Sequence, residues 1–481
     1  MAHFTRRQFL KGALATGAAL SLPTQRVLGA NDDIRLGFIA LGGQGRGLLG
    51  SFSGIDGVRV VGLAEPDRDR LDAAHEDFPD ADAYTDFREM LERDDIDAIV
   101  MANCVHWHGL ATCMAIEAGK DVYVEKPHCY SIWESQQIVA RANHYGKLVQ
   151  VGTQHRSASV QQEVKDWLAS GAIGDVQWVR STTYNSRNSI GIRETPMTPP
   201  EHVDYDLWLG PAQDLPIYRQ NFQYDWHWVW NTGGGEAANW GPHILDDVYN
   251  IVFDDAPVHP RSCMSVGGRV AWNDGGETPN IHMSYFETDS VPVSYEVVHL
   301  PEEPGGDMGG VRGTRNGYVI QCEGGYYSGG RGGGDAYDND GAEIQSFRGG
   351  SGAGEHHRNF ISAVRNQDRS ELNADVSKLH YSICWCHWAN VAYRLGQSYD
   401  PEHVASITQQ HDYWEEAWED ITARLRAHDI DPEGEGVLQA GPVIEIDSDN
   451  ETLAGDSATP EALALLRREY REPYVLQPFQ A

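Results

Sequence analysis

Glu125-Lys126-Pro127 follows the apolar run Val122-Tyr123-Val124. A lysine at the carboxyl end of a parallel strand stands at the edge where open α/β sheets bind ligands. Burial there would lower its pKa toward the range in which an amine gives and takes protons. Lys126 could then act on a substrate hydroxyl, or it could be an ordinary surface lysine paired with Glu125. The second chemical stretch is IRLGFIALGGQGRGLLG, from Ile34 to Gly50. It holds two overlapping glycine patterns. A literal G-x-G-x-x-G runs from Gly45 to Gly50, and a second runs Ala40, Gly42, Gly45 with alanine in the first place. A phosphate-binding turn must begin where the first strand ends and must open a helix whose amides face the phosphates. The strand ends at Ala40, so the imperfect register is the one in position. Gly42 would let the backbone approach a pyrophosphate, and Gly45 would let helix and strand pack. The methyl of Ala40 is tolerated if its φ stays negative.

The second strand runs from Val58 to Ala64 and ends at Glu65, 20 residues after Gly45. An acid at that distance can take the ribose hydroxyls of NAD, while Arg68 keeps NADP open. The expected cofactor contacts are Ala40, Gly42, Gly43, Gln44, Gly45, Arg46, Glu65, Asn103, His108, Glu125 and Lys126. Lys126 could also orient the nicotinamide ribose. His106 and His108 flank Trp107 and could face the same cleft or cap the structure. Gln154 and Arg156 follow the last strand of this region and could reach a substrate. Tyr224 to Trp230, YDWHWVW, is aromatic enough to stack on a sugar ring, with Trp230 as the candidate, or to fill a half-buried segment. Glu355-His356-His357 lacks the spaced partners of a metal site, and no metal is expected.

These residues need elements to place them. Between 31 and 153 short apolar runs alternate with helical stretches at Asp67 to Glu76, Phe87 to Arg93, Gly109 to Ala118 and Ile132 to Tyr145. That alternation predicts a parallel sheet with helices on both faces. From 154 to 481 the rhythm changes. A helix at Ser159 to Ser170 leads into VQWVRSTTYNS, RSCMSVGGRVAW, NIHMSYFET and VPVSYEVVHL, which predict one large, mainly antiparallel sheet. Glycine-dense residues Pro304 to Gly354 read as hairpin tips and loops, either a lid or a mobile surface loop. Helical patterns return at HHRNFISAVRN and VSKLHYSICWCHWANVAYRLG, and the tail reads as polar loop with one short helix near Thr459 to Arg471. The fold class is therefore α/β for an N-terminal Rossmann domain, followed by an α+β domain with a large open sheet.

Composition narrows the partners. The net charge of the 481 residues is −34, which argues against nucleic acid and against an anionic membrane surface. No apolar run after the N-terminus is long enough to span a bilayer. Seven cysteines form no disulfide framework, and Cys384 and Cys386 read as buried thiols. Residues 1–30 have the layout of an export signal: Arg6-Arg7, then Phe9-Leu10-Lys11, a weakly apolar stretch, and Leu28-Gly29-Ala30 before Asn31. The paired arginines resemble a Tat signal, a route that carries folded, cofactor-loaded proteins. The expected destination is the periplasm or the exterior.

HWHGLATCMAIEAGKDVYVEKP resembles the Gfo/Idh/MocA oxidoreductases, the family of glucose–fructose oxidoreductase and inositol dehydrogenase. GGGEAANWGPHILD, HHRNFISAVRN, CHWANVAYRLG and GETPNIHMSYFE extend the resemblance from about residue 31 to the end. It implies that Lys126 is the catalytic lysine, that His243 hydrogen-bonds the reacting hydroxyl, and that Asp246 positions the site. It also implies a carbohydrate as the small-molecule substrate, with His243 among its contacts, and a homodimer or homotetramer. Asn239 departs from the aspartate many members have, and an amide cannot accept a proton at neutral pH. Three functions follow: an NAD(P)-dependent oxidoreductase acting on a sugar or polyol, an NAD-dependent glycosidase working by transient oxidation and elimination, or a non-catalytic sugar binder.

Overall fold

Six strands, β1 (Ile34–Ile39), β2 (Val58–Ala64), β3 (Asp82–Tyr84), β4 (Ala98–Met101), β5 (Asp121–Val124) and β6 (Val149–Val151), lie in the order β3-β2-β1-β4-β5-β6 in a computed structural model that describes residues 33–480. The expected signal segment, 1–30, lies outside the described residues. Every pairing in this sheet is parallel. The order reverses between β1 and β4, which opens a crevice at their carboxyl ends. Helices α1 (Gly43–Ser53), α2 (Arg68–Asp77), α3 (Phe87–Leu91), α4 (Val105–Glu117) and α5 (Ile132–Tyr145) supply the crossovers. Serine and glycine punctuate α5: the Ser131 side chain caps its start, and Gly146 ends it at φ 61°. Helix α4 begins four residues before the expected Gly109. It is buried on nearly every face, so no apolar stripe marked its start.

The second sheet contains β7 (Val176–Tyr184), β8 (Ser262–Gly268), β9 (Ile281–Glu287), β10 (Val293–Val298), β11 (Asn316–Cys322), β12 (Gly325–Gly330), β13 (Gly333–Asp338) and β14 (Glu343–Arg348). Three short strands from the tail complete its eleven, in the order β14-β13-β12-β11-β7-β10-β9-β8 and onward. The β7–β10 pair is parallel and the others are antiparallel. The glycine-dense segment, expected to be hairpin tips and loops without regular elements, does form hairpins, but β11 to β14 are regular strands between the tips. Glycine is required there for close approach: a Cβ on Gly333 would run into the Phe347 carbonyl, and its φ is 111°.

Helices α6 (Ser159–Ala169), α7 (Tyr205–Leu209), α8 (Gly235–Asn239) and α9 (Gly241–Val252) precede most of this sheet, and α10 (Ala353–Asn366) and α11 (Val376–Arg394) follow it. Ile244 and Val248 of α9 and Trp385 and Trp388 of α11 pack with Phe286, Val293 and Tyr295. The other end of α11, through Val376, Leu379 and Ile383, joins the core of the first sheet. One helix thus locks the two sheets together and holds the cleft between them. Two further helices, α12 (Pro401–Thr408) and α13 (Asp412–Ala427), were absent from the sequence reading. Tyr413, Trp414, Ala417, Trp418, Ile421 and Leu425 of α13 recur at helical spacing and cover Met264, Met283 and Tyr285. By the alternation of side chains along β9, this is the face opposite Phe286. No described helix is long and apolar enough to cross a membrane. Cys384 and Cys386 are buried free thiols on α11.

Candidate functional site

The glycine turn has the imperfect register. β1 stops at Ile39, Gly42 is the N-cap of α1, and Gly45 lies in its first turn. The first helical bond runs from Arg46 N to Gly42 O at 2.8 Å, so the preceding amides are free to face an anion. A Cβ on Gly45 would collide with the Ala40 carbonyl, whereas Gly47 and Gly50 have open space around them. Ala40 corrects one expectation: its φ is 69°, not negative. The alanine holds the left-handed conformation that a tight-turn glycine would adopt, and the turn keeps its shape at the cost of strain. Ala40→Gly is therefore expected to raise unfolding free energy by about 0.5–1 kcal/mol, read from the midpoint of chemical denaturation.

Glu65 ends β2 beside this turn and is buried. Its carboxylate accepts from Leu41 N at 2.7 Å and Asp67 N at 3.1 Å, so it braces the turn as well as lining the cleft. Burial raises its pKa against those two donors. Arg68 turns outward to the Glu201 carbonyl at 3.0 Å. Arg70, which the sequence reading missed, lines the cleft instead, with its guanidinium over Gly42. Arg46 is a second correction. It reaches Asp77 and the Ala73 carbonyl on the outer side of α1, away from the cleft.

A cleft of about 670 Å³ runs from this turn to α8, α9 and the turn at Arg331 between β12 and β13. Ala40, Gly42, Gly43, Gln44, Glu65, Asn103, His108, Glu125, Lys126, Gln154, Asn239 and His243 all line it. Asn103 Oδ1 and His108 Nε2 are buried there without partners, and burial pushes His108 down to about 4. A dinucleotide fits this donor set: free helix amides, a glycine cradle, a strand-end acid and unpartnered polar atoms.

Lys126 is the centre of the polar group. Its Nζ donates to the Asn239 carbonyl at 2.7 Å and to Asn239 Oδ1 at 3.1 Å. Burial lowers its pKa, opposed by Glu125 and Glu236. Glu125 accepts from Gln44 Nε2 at 2.9 Å and Gln154 Nε2 at 3.1 Å. Asn239 Nδ2 donates in turn to Glu236 at 3.3 Å. Glu236 is fully buried and also receives Asn185 and Arg187. The sequence reading missed it, although its place three residues before Asn239 on one helix was a usable signal. Burial and the charge of Lys126 push the His243 pKa well below its ordinary value, so its imidazole is neutral, and its Nδ1 is buried without a partner.

Three expected site residues stand behind the cleft. Asp246 is buried in a bidentate pair with Arg156, both contacts at 2.8 Å, and accepts from Ser382 at 2.6 Å. Arg156 also pairs with Asp255, which leaves no fork for a substrate. Together they anchor α9, and so His243, to the segment after β6. Trp230 lies outside the cleft under Arg394, and its aromatic neighbours Tyr224, Trp226 and His227 line the cleft instead. His106 is structural, bonded to the Trp208 and Thr232 carbonyls. His356 is taken up by Val151 and Ser157; His357 bonds through Nδ1 to Ser51, and it lines the cleft with its Nε2 buried without a partner.

Residues 34–153 match the model of an oxidoreductase family with an NAD-binding Rossmann fold, and 159–266 match that family's C-terminal α/β domain. Residues 3–23 match the twin-arginine translocation signal. Glycosyl hydrolase family 109 protein 2 of Shewanella sp. (strain ANA-3) is 31% identical over 171 residues, 30% of this chain and 38% of that protein. The match thus spans well under half of that curated relative. A 4-carboxy-2-hydroxymuconate-6-semialdehyde dehydrogenase of Sphingobium sp. is 22% identical over 38% of this chain and 58% of its own length. Among solved structures, the WlbA dehydrogenase of Bordetella pertussis, crystallised with NADH and UDP-GlcNAcA, shares the fold at TM-score 0.54 and 17% identity, over 73% of this chain and 94% of its own. An oxidoreductase of Thermotoga maritima does so at TM-score 0.55 and 16% identity, over 74% and 96%.

Proposed function

Residues 34–153 and 159–266 belong to the Gfo/Idh/MocA oxidoreductase family, and on that basis we propose that this NAD-binding protein interconverts a hydroxyl and a carbonyl on a sugar or polyol. The observation that supports it most is the meeting of Lys126, Asn239 and His243 in the cleft that begins at the glycine turn. When bound, NAD supplies the acceptor or donor of hydride. The chain manages the proton. In the oxidising direction the unprotonated form of Lys126 takes the hydroxyl proton at Nζ, and the Asn239 carbonyl and amide oxygens hold the resulting ammonium. Asn239 takes no proton itself; the buried Glu236 carboxylate behind it favours the charged lysine. Neutral His243 orients the reacting hydroxyl. Asp246 and Arg156 act as positioning residues through α9.

Because burial depresses the Lys126 pKa, kcat/KM for oxidation should rise with pH through that lowered value and then level off. The reverse reaction should fall over the same interval. Profiles of both directions with one sugar would check this, and a flat oxidation profile would remove Lys126 as the proton acceptor.

The twin-arginine signal at residues 3–23 supports export of the protein. We place it in the periplasm or outside the cell, with 1–30 as the signal, 31–153 as the nucleotide domain and 154–481 as the substrate domain, in a homodimer or homotetramer. Those compartments offer no obvious pool of free NAD, so the cofactor stays bound and is recycled in place. Nucleotide content after native purification tests this, and an apo protein without NAD(H) affinity would refute it. The glycosidase similarity favours a second reading, in which transient oxidation permits elimination of a glycosidic group. Release of an aglycone with no net change in NADH would identify it. The non-catalytic reading keeps Asn239 as its argument but loses Ala40, which adopts the turn of a glycine.

A further inference from the structure

The glycine-dense hairpin delivers one cation to the cleft. Gly330 pairs with Gly333 across β12 and β13, which leaves Arg331 and Gly332 as a two-residue tip. Gly332 and Gly333 have φ of 106° and 111°, so the tip needs glycine on the far side of the arginine. Arg331 lines the same cleft as Lys126, His243 and Gln154. Its Nη2 donates to Gln154 Oε1 at 3.3 Å, and its Nε is buried without a partner. Neighbouring arginines are already matched with carboxylates: Arg156 with Asp246 and Asp255, Arg187 with Glu236. Among the described residues no ion pair includes Arg331. Glu125, the carboxylate of this part of the cleft, is engaged by Gln44, Gln154 and the Lys126 amide. Among the described residues Arg331 is thus a cleft guanidinium with no carboxylate at ion-pair distance, and Glu125 feels its charge only at longer range. A planar fork of this kind recognises a carboxylate in two parallel bonds.

We propose that Arg331 binds a carboxylate of the substrate, and that the substrates are sugar acids such as uronates rather than neutral sugars. This rests on the sugar oxidoreductase reading. The phosphates of a dinucleotide have their own place at the glycine turn, whereas Arg331 stands with Lys126, Gln154 and His243.

The test uses the purified, nucleotide-loaded protein with glucuronate and galacturonate against glucose and galactose. Wild type should prefer the acids. Arg331→Met should raise KM for the acids by about 10- to 100-fold, with kcat and the neutral-sugar KM changed by less than about threefold, as loss of a uniform binding contact requires. Arg331→Lys should recover part of the preference, and NAD(H) affinity should be unchanged in both variants. Equal use of acids and neutral sugars by wild type, or equal losses on both in the variant, would overturn the proposal. So would a fall in NAD(H) affinity with acid preference retained, which would assign Arg331 to the cofactor. If no sugar is turned over, the oxidoreductase reading fails separately. Quenching of cleft tryptophan fluorescence by glucuronate then decides: binding weakened in Arg331→Met supports the proposal, and absent or unaltered binding refutes it.

Discussion

Lys126→Met is expected to lower kcat by about 10²- to 10⁴-fold, with nucleotide content and fold unchanged. Methionine keeps the length and the apolar stem of lysine but has no proton to give or take. It also leaves the Asn239 carbonyl and Oδ1 without the donor that now reaches both. Lys126→Arg separates the two effects. A guanidinium can still bond to Asn239, but it stays protonated in proteins and cannot serve as a base. Arginine should therefore preserve substrate affinity better than methionine while remaining as slow in kcat. Single-turnover reduction of the bound nucleotide, with nucleotide content measured in parallel, gives both quantities. An unchanged rate in Lys126→Met would exclude this residue from the proton transfer.

Gly45→Ala should weaken nucleotide binding sharply, and Gly50→Ala should not. At Gly45 the added methyl meets the Ala40 carbonyl, a main-chain atom held by the strand and by the helix start, so neither side can give way cheaply. Overpacking of that kind costs about 1–3 kcal/mol and opens the turn against which a pyrophosphate would rest. Nucleotide affinity should fall by about 100-fold, which about 2.7 kcal/mol would account for. Gly50 is interior to α1 with open space around it. Alanine there should stabilise the helix by about 0.5–1 kcal/mol and leave affinity alone. Nicotinamide fluorescence titrations and thermal unfolding of the two variants provide the check. Equal losses in both would mean that the literal Gly45 to Gly50 pattern, and not Ala40-Gly42-Gly45, sets the phosphate site.

The register was legible because strand, turn and helix are written in adjacent residues. The apolar run to Ile39, the glycines at 42 and 45, and Glu65 at the next strand end follow from local periodicity and spacing. Lys126 was legible for the same reason, as a polar residue closing a buried strand. The conformation of Ala40 was not, since its methyl favours negative φ and only the surrounding turn imposes 69°. Helix α13 carries a plain apolar stripe that a closer reading of 412–427 would have found.

Residue identity and spacing by themselves determined the Rossmann half, the register of the glycine turn, the strand-end lysine and the export signal. Tertiary structure alone decided which distant side chains complete the cleft. Asn239 meets Lys126 across 113 residues, and Arg331 meets Gln154 across 177. It also placed Arg156 and Trp230 outside the cleft, set Asp246 behind it as a brace of α9, and brought in Arg70 and Arg331. The physical reason is that backbone periodicity is local, whereas the partner of a charged side chain is chosen by how two sheets and one shared helix pack. Arg156 finds two carboxylates in that packing, and Arg331 finds none at ion-pair distance among the described residues.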